Sequence, residues 1–284
     1  MPSFKAKAVV LKTHNLGEAD KILRLYSQEK GLIGAVAKGA RKFKSKFGGR
    51  LELFNFIDCE LSKGKSLDIL TQAELVRNFK NISSDFNKFL FCQLISEIIL
   101  KTHPSESESS QKTASLLFKL IYVSFYEIDG AAPWDLCLLE KTAAFFIAKY
   151  LKITGYTPLI DSCCRCGAKV GAENSHTFST NPEKDNLAFP TNPENSLAFS
   201  ITLGGILCRD CSAGLENHPE IKKLISKEEF EFISLLFSID LKNYRNLNFK
   251  AQDIDNVLKI IGNYARFHAE CNIDITLYLD KLQA

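Results

Sequence analysis

The sequence lacks the hydrophobic segments that membrane insertion or secretion requires. None of its apolar runs is long enough to span a bilayer. The first ten residues contain no hydrophobic signal-peptide core that ends at a small-residue cleavage site. We therefore expect a cytoplasmic protein that has no membrane partner.

The sequence also lacks the signatures of several enzyme classes that act on nucleotides. The Walker A pattern G-x-x-x-x-G-K-[ST] is absent, which argues against intrinsic use of ATP. The zinc-deaminase signature, H-x-E followed by P-C-x-x-C, is absent, and no carboxylate cluster suits two-metal phosphoryl chemistry. A metal-dependent nuclease or deaminase is therefore a weaker alternative to a protein that is not an enzyme.

Acidic residues are scarce near the N-terminus. The first 80 residues carry 16 Lys and Arg against 8 Asp and Glu, whereas the remaining 204 carry 20 against 25. The net charge of +3 therefore conceals two regions of opposite sign. This asymmetry favours a polyanion as the partner of the first region and a different role for the second.

The basic charge is concentrated in residues 38–50, which contain six cations and no acid. Three glycines and the aromatic residues Phe43 and Phe47 lie within the same run. Cations attract phosphates, and exposed aromatic rings stack unpaired bases, so the pattern favours a nucleic-acid contact. A solvated basic loop is the alternative, and the two rings can instead be buried beneath it, above all Phe47 beside the glycine pair. The predicted DNA-binding residues are Lys38, Arg41, Lys42, Lys44, Lys46 and Arg50.

Alternating apolar residues predict five short strands before residue 80, with turn residues between them. Such a pattern is typical of a small antiparallel barrel, and periodicity alone allows either an OB or an SH3-like barrel. Glu18 and Asp20 have no metal-ligand pattern nearby, so we interpret them as part of a loop. The predicted strands are 4–11, 21–27, 32–38, 51–61 and 67–76.

Helical periodicity replaces this alternation from residue 81 onwards. Residues 83–85 offer an N-cap, and Ser226 with Glu229 forms a capping box. We expect the later helices to pack on the earlier ones, so that the bundle is discontinuous in sequence. The predicted helices are 86–102, 113–125, 134–151, 226–237 and 253–271.

Nine cysteines in a cytoplasmic chain are more typical of thiols and metal ligands than of disulfides. Two C-x-x-C pairs have the spacing with which two knuckles hold one tetrahedral zinc ion. Four thiolates leave no open position, so the zinc would be structural; disulfides or free thiols are the alternative. The predicted ligands are Cys163, Cys166, Cys208 and Cys211.

Two features of this cysteine segment remain open. Cys164 can replace Cys163 in the first pair, and His176 is the only substitute ligand between the pairs. The 41 residues between Cys166 and Cys208 contain a repeat, T-N-P-E-K-D-N-L-A-F at 180–189 and T-N-P-E-N-S-L-A-F at 191–199. A tandem duplication that lengthened a loop accounts for the repeat without a function.

Several motifs occur in an order that is far more specific than any one of them. They are G-E-x-D within 9–23, A-K-G-A-R-K within 34–42, F-G-G-x-L-x-x-F within 46–54 and Q-A-E-L-V-R-N-F at 72–79. With these motifs the first eighty residues closely resemble the RecO family of bacterial recombination mediators. The form L-x-x-x-G-Y-x-P-x-x-x-x-C at 151–163 looks like that family's entry into its cysteine module.

The resemblance implies a function as well as a fold. The family binds single- and double-stranded DNA and anneals complementary strands in RecF-pathway recombinational repair. With its partner RecR, it helps to load RecA onto strands coated by single-strand-binding protein, whose acidic C-terminal tail its helical part binds. A bacterial cytoplasmic, nucleoid-associated location follows. A zinc-containing nucleic-acid-binding adaptor without annealing activity is the alternative.

The resemblance and the periodicity together predict an α+β multidomain protein. An N-terminal OB-fold β-barrel is followed by a helical bundle with an inserted four-cysteine zinc module. The expected domains are an OB-fold DNA-binding domain at 1–80, a first helical part at 81–158, a zinc-binding module at 159–215 and a second helical part at 216–284.

Overall fold

The chain forms two compact units in the computed structural model. One comprises Met1–Phe146 with Leu277–Ala284, and the other comprises Ile147–Thr276. Among the described residues, no helix combines the length and the apolar character needed to cross a bilayer. The structure describes residues 2–102, 110–170, 197–213, 223–240, 243–244, 247–271, 273–276 and 278–279.

The first unit begins with a closed five-stranded barrel, as predicted. The strand order is β1-β2-β3-β5-β4, and every neighbouring pair is antiparallel except β3 with β5. This Greek-key closure is that of an OB fold and not of an SH3-like barrel. The strands are β1 (Ser3–Leu16), β2 (Asp20–Ser27), β3 (Gly31–Ala37), β4 (Phe56–Ser62) and β5 (Asp68–Arg77).

Alternation along the strands fills the barrel with small and branched side chains. Ala8 and Val10 of β1 lie in this core with Leu25 of β2, and Phe47 and Leu51 reach it from the loop between β3 and β4. Burying a large apolar side chain contributes about 1.5–3 kcal/mol, so these two loop residues hold the loop against the barrel.

Two strand boundaries differ from the prediction. β1 continues to Leu16 because residues 12–16 pair with β2 after a register shift that begins at Val10. β4 begins at Phe56 and not at residue 51, because Gly48–Leu51 forms a short 3₁₀ helix. Both differences depend on tertiary pairing, which local alternation does not report.

In the described part of the chain, four helices follow the barrel, and side chains cap three of them. The Ser110 hydroxyl accepts a hydrogen bond from the Thr113 N–H at 3.2 Å at the start of the third. Asp85 accepts a hydrogen bond from the Lys88 N–H at 3.0 Å, which confirms an N-cap within residues 83–85. Asp135 does the same for Leu138 at 3.0 Å, so the fourth helix begins after Trp134. The helices are α1 (Lys80–Ser84), α2 (Phe86–Thr102), α3 (Gln111–Gly130) and α4 (Leu136–Thr154).

An aromatic cluster joins the barrel to α3 within the first unit. Phe56 of β4 packs edge-to-face against Tyr122 and Phe125, with ring centroids 5.1 and 6.2 Å apart. Phe79, just after β5, packs against Phe125 at 6.3 Å. Edge-to-face pairs of this kind stabilise a contact beyond simple area burial, so the barrel and α3 are rigidly connected.

Among its described residues, the second unit contains a small antiparallel sheet, ordered β7-β6-β8, and three helices after α4. The capping box predicted at Ser226 and Glu229 is present, with hydrogen bonds of 2.9 and 3.0 Å. The discontinuous bundle and the four domain boundaries stay predictions. The elements are β6 (Leu197–Ser200), β7 (Gly205–Leu207), α5 (Arg209–Ser212), β8 (Lys223–Ile225), α6 (Lys227–Ser238) and α7 (Ala251–His268).

Candidate nucleic-acid interface and candidate metal centre

The basic loop, defined here as residues 38–50, is fixed to the turn between β1 and β2. The Gly39 N–H donates to Asp20 Oδ1 at 2.7 Å, and Gly39 has a positive φ of 70° that suits glycine. Arg41 donates from its backbone to Ala19 O at 2.9 Å and from Nη1 to Gly17 O at 2.7 Å. Asp20 therefore has the structural role that the sequence predicted for it.

The other end of the basic loop is held by contacts with the barrel core, Asn55 and β5. Phe47 is only 1% exposed and lies in the barrel core. The buried Asn55 side chain donates from Nδ2 to Gly49 O at 3.0 Å and to Arg50 O at 3.2 Å. Lys46 Nζ donates to Thr71 O of β5 at 2.6 Å. The loop is thus held by the barrel at both of its ends.

The six predicted DNA-binding cations are all exposed, but they fall into two groups. Arg41, Lys46 and Arg50 donate to backbone carbonyls, and so they also hold the loop. In the described part of the chain, no side-chain partner is found for Lys38, Lys42 or Lys44, and no carboxylate forms an ion pair with any of the six. These three lysines are therefore available to phosphates.

The two aromatic residues of the basic loop have opposite environments. Phe43 is fully exposed, whereas Phe47 is buried beneath the loop. An exposed ring offers both faces to a base, and a buried ring offers neither. Stacking is therefore open to Phe43 alone of the two, and Phe47 is part of the barrel core.

The four predicted cysteine ligands come together in the second unit. The Sγ atoms of all four lie within 4.8 Å of one another, and those of Cys166 and Cys208 are 3.7 Å apart. A tetrahedral zinc ion with Zn–S bonds of about 2.3 Å requires sulfur–sulfur distances of about 3.8 Å. The donor set therefore fits zinc, and the residues that could hold a metal ion are Cys163, Cys166, Cys208 and Cys211.

Each C-x-x-C pair is shaped by its own backbone turn. The Gly167 N–H donates to Cys163 O at 2.9 Å, and Gly167 has a φ of 76°. The Ser212 N–H donates to Cys208 O at 2.9 Å in the short helix α5. These turns bring the two thiols of each knuckle to the same side, and the Cys164 N–H, which donates to Ile206 O at 2.8 Å, connects the two knuckle segments.

The pKa values of two thiols in the cluster are shifted in opposite directions. Burial raises the pKa of Cys163, but backbone N–H groups of Cys208, Cys166 and Arg165 outweigh it and lower that pKa to about 6. Burial, the neighbouring thiols and the charge of Cys163 raise the pKa of Cys211 to about 12. One thiolate thus suppresses ionisation of another, and a cation among the four sulfurs would relieve this repulsion.

Cys164 stays outside this cluster. Its backbone N–H donates to Ile206 O at 2.8 Å, which places it beside β7. Burial, followed by the charge of Cys163, raises the pKa of the Cys164 thiol. The geometry thus favours Cys163 over Cys164 as the ligand. His176 and residues 180–196 of the repeat lie outside the described residues, and the repeat ends in β6.

One contributor to these sites was not singled out from the sequence. Asn55 supports the basic loop through two backbone carbonyls, but an asparagine between two phenylalanines carries no local sequence signal. Only its hydrogen bonds in the folded loop distinguish it.

Comparison with known proteins gives matches along nearly the whole chain. Residues 1–79 match the family model "Recombination protein O N terminal", and residues 83–273 match "Recombination protein O C terminal". Proteins named "DNA repair protein RecO" are among the relatives. The one from Caldanaerobacter subterraneus subsp. tengcongensis is 28% identical over 285 residues, with 99% of each chain covered.

Two further relatives carry the same name. The protein from Cutibacterium acnes is 31% identical over 221 residues, which cover 77% of this chain and 78% of that one. The protein from Dehalococcoides mccartyi is 27% identical over 279 residues, which cover 98% and 96%. The similarity therefore includes the barrel, the helices and the cysteine segment.

Proposed function

The chain belongs to the RecO family of DNA repair proteins, and from this premise we propose that it is a non-enzymatic recombination mediator. It binds single- and double-stranded DNA and anneals complementary strands. With RecR it promotes the loading of RecA onto strands coated with single-strand-binding protein. The observation that carries this proposal is a pre-ordered loop with three partner-free lysines beside a fully exposed phenylalanine.

Annealing needs no bond chemistry, because the obstacle is the repulsion between two polyanions. Lys38, Lys42 and Lys44 lower this repulsion when they replace the counterions of the phosphates. Phe43 stacks one base while neighbouring bases remain free to pair. Because the loop is already held by Asp20 and by the barrel core, binding does not require the loop itself to become ordered.

Two other parts of the proposal concern partners and location. We assign RecR and the acidic C-terminal tail of single-strand-binding protein as partners, with RecA as an indirect one. Family membership supports these partners, because no motif in the sequence singles out the residues that would bind them. A cytoplasmic, nucleoid-associated location agrees with a DNA ligand.

The cysteine cluster is proposed to hold one structural zinc ion. Cys163, Cys166, Cys208 and Cys211 would supply four thiolates, and the ion would supply a cross-link between the two knuckles. The chain's own contribution is the pair of backbone turns that bring the sulfurs together. Because all four positions are protein ligands, the cluster stabilises the module and takes no part in DNA annealing.

The direct test of this function is annealing of two complementary oligonucleotides, each coated with single-strand-binding protein, without ATP. We expect acceleration that weakens as salt rises, because screening of phosphates is the source of the effect. Lys42→Glu with Lys44→Glu should abolish most of the acceleration. Lys65→Glu with Lys250→Glu, at exposed sites elsewhere, changes the net charge equally and should leave it intact.

The possible outcomes separate the candidate functions. Salt-sensitive acceleration that requires the loop lysines supports a mediator. DNA binding without acceleration would contradict the mediator proposal and favour a zinc-containing nucleic-acid-binding adaptor. Degradation of the strands would contradict a non-enzymatic role altogether.

A further inference from the structure

A second exposed surface lies in the first unit, outside the basic loop. It consists of Arg77 at the end of β5 with Tyr122 and Tyr126 on α3, and it is called the α3 tyrosine surface here. Tyr122 is 36% exposed and Tyr126 is 48% exposed. The two tyrosines are four residues apart, so they share one face of the helix. Two large aromatic side chains are thus left facing solvent side by side.

Tyr122 is held in place by buried rings, and Tyr126 contacts a guanidinium. Tyr122 packs edge-to-face on Phe56 at 5.1 Å and lies 6.0 Å from Phe79. The Arg77 guanidinium lies over Phe79 at 5.4 Å and over Tyr126 at 5.8 Å. This packing orients both tyrosine rings and leaves each of them partly exposed, as a stacking platform requires.

The charge of this part of the helix is positive. Lys112 and Lys119 are exposed and lie seven residues apart, on the same face as Tyr126. The acids of α3 are directed elsewhere: Glu127 is buried, and Asp129 accepts a hydrogen bond from the Asn81 N–H at 2.9 Å. Cations interleaved with exposed aromatic rings indicate a polyanion with stackable groups, which is single-stranded nucleic acid.

β5 connects the α3 tyrosine surface to the basic loop. Lys46 of the loop donates to Thr71 O on this strand, and Arg77 lies six residues farther along it. At about 3.3 Å per residue, the separation is about 20 Å. A single strand that keeps the stacking of B-DNA rises about 3.4 Å per nucleotide, so it covers this distance in about six nucleotides. One strand can therefore reach both places.

We propose that the α3 tyrosine surface is a second subsite for single-stranded nucleic acid, which receives the strand as it leaves the basic loop. Bases stack on Tyr122 and Tyr126, and Arg77 and Lys119 contact the phosphates. This inference rests on the proposed function, because the basic loop must hold the first part of the strand. It adds a length requirement: a short oligonucleotide occupies the loop alone, and a longer one occupies both subsites.

The test is a binding series with oligodeoxythymidylates from about 4 to about 16 nucleotides, the range of site sizes of OB folds. We expect the affinity of the full chain to increase once the strand exceeds about six nucleotides. Tyr126→Ala should weaken binding of the longest strand about fivefold or more and leave the shortest unchanged. Tyr126→Phe, which keeps the ring, should bind like the unchanged protein.

The matched control is Tyr156→Ala, because Tyr156 is 44% exposed and lies outside the α3 tyrosine surface. It should bind strands of every length normally. Lys42→Glu with Lys44→Glu should weaken binding at every length, so failure of the loop and failure of the second subsite give different results. If Tyr126→Ala binds the longest strand as tightly as the unchanged protein does, the proposal of a second subsite is wrong, even when the loop variants behave as expected.

Thermal unfolding of the same variants shows whether the platform stays folded. Tyr126 contacts the guanidinium of Arg77, whereas Tyr122 packs on buried rings, so Tyr126→Ala is the milder change. Arg77→Gln provides an independent variant that leaves both tyrosines in place. It should also reduce the affinity of long strands alone, and equal losses at all lengths would contradict the proposal.

Discussion

The basic loop and the cysteine cluster obtain their binding groups in opposite ways. In the loop, the groups available to a ligand are the exposed Phe43 and the lysines without a side-chain hydrogen bond or ion pair to the described residues, namely Lys38, Lys42 and Lys44. In the cluster, the binding groups are those that come together, with two pairs of thiols joined from distant parts of the sequence. One site depends on side chains left free, and the other depends on side chains that converge.

This difference sets how each site responds to change. Phosphate contacts on an exposed loop add together, so removal of one lysine reduces affinity by a modest factor. A tetrahedral metal site requires every ligand, so removal of one thiol affects the whole module. The loop should therefore show graded losses, whereas the cluster should show a nearly complete loss from a single substitution.

The largest effect is expected from Cys166→Ser. Structural zinc contributes about 10 kcal/mol or more to the folding of small metal domains, so loss of one ligand should release the metal and unfold the module. Metal analysis of the reduced full chain should find about one zinc ion per unchanged chain and much less in the variant.

Cys164→Ser is the control for this prediction, because Cys164 neighbours the cluster without belonging to it. It should keep its zinc and its melting temperature. If Cys164→Ser loses its zinc and Cys163→Ser keeps it, the ligand assignment is wrong. Absence of zinc from the unchanged, reduced chain would contradict the proposal of a metal site.

The next effect contrasts the two phenylalanines of the loop. Phe47→Ala creates a cavity in the barrel core and should lower the free energy of unfolding by about 3–5 kcal/mol. Phe43→Ala should leave that free energy unchanged and weaken single-strand binding by about 1–3 kcal/mol. Denaturant unfolding and oligonucleotide titration of both variants measure the two quantities.

A reversed result would reverse the roles of the two rings. Strong destabilisation by Phe43→Ala, with normal stability in Phe47→Ala, would mean that Phe43 and not Phe47 is buried in the barrel core. Equal binding by Phe43→Ala and the unchanged chain would leave phosphate contacts as the whole of the loop's contribution.

Much of this molecule follows from local sequence patterns. Alternating apolar residues predicted the five-stranded barrel, and cation density predicted the exposed loop. The C-x-x-C spacing predicted which two sulfurs lie together within each knuckle, because each pair forms a turn from its own backbone. These features depend on neighbours within a few residues, and such neighbours are visible in a sequence.

The features that were missed depend on residues far apart in the chain. The sequence leaves burial of Phe47 beside the glycine pair open as an alternative, and only the position of the barrel core shows that Phe47 is buried and Phe43 exposed. The division of the six cations into anchoring and partner-free groups follows from carbonyls on other strands and turns. Tyr122 became distinct only through its contacts with Phe56 and Phe79.

The smallest change gives the most direct test of the central claim, that partner-free loop lysines contact phosphates. For Lys42→Gln with Lys44→Gln, we predict that the slope of log affinity against log salt falls by about 1.4, since each single-strand phosphate contact contributes about 0.7. Lys65→Gln with Lys250→Gln should keep the slope of the unchanged chain. An unchanged slope in the loop variant would contradict the account, because it would mean that these lysines release no counterions.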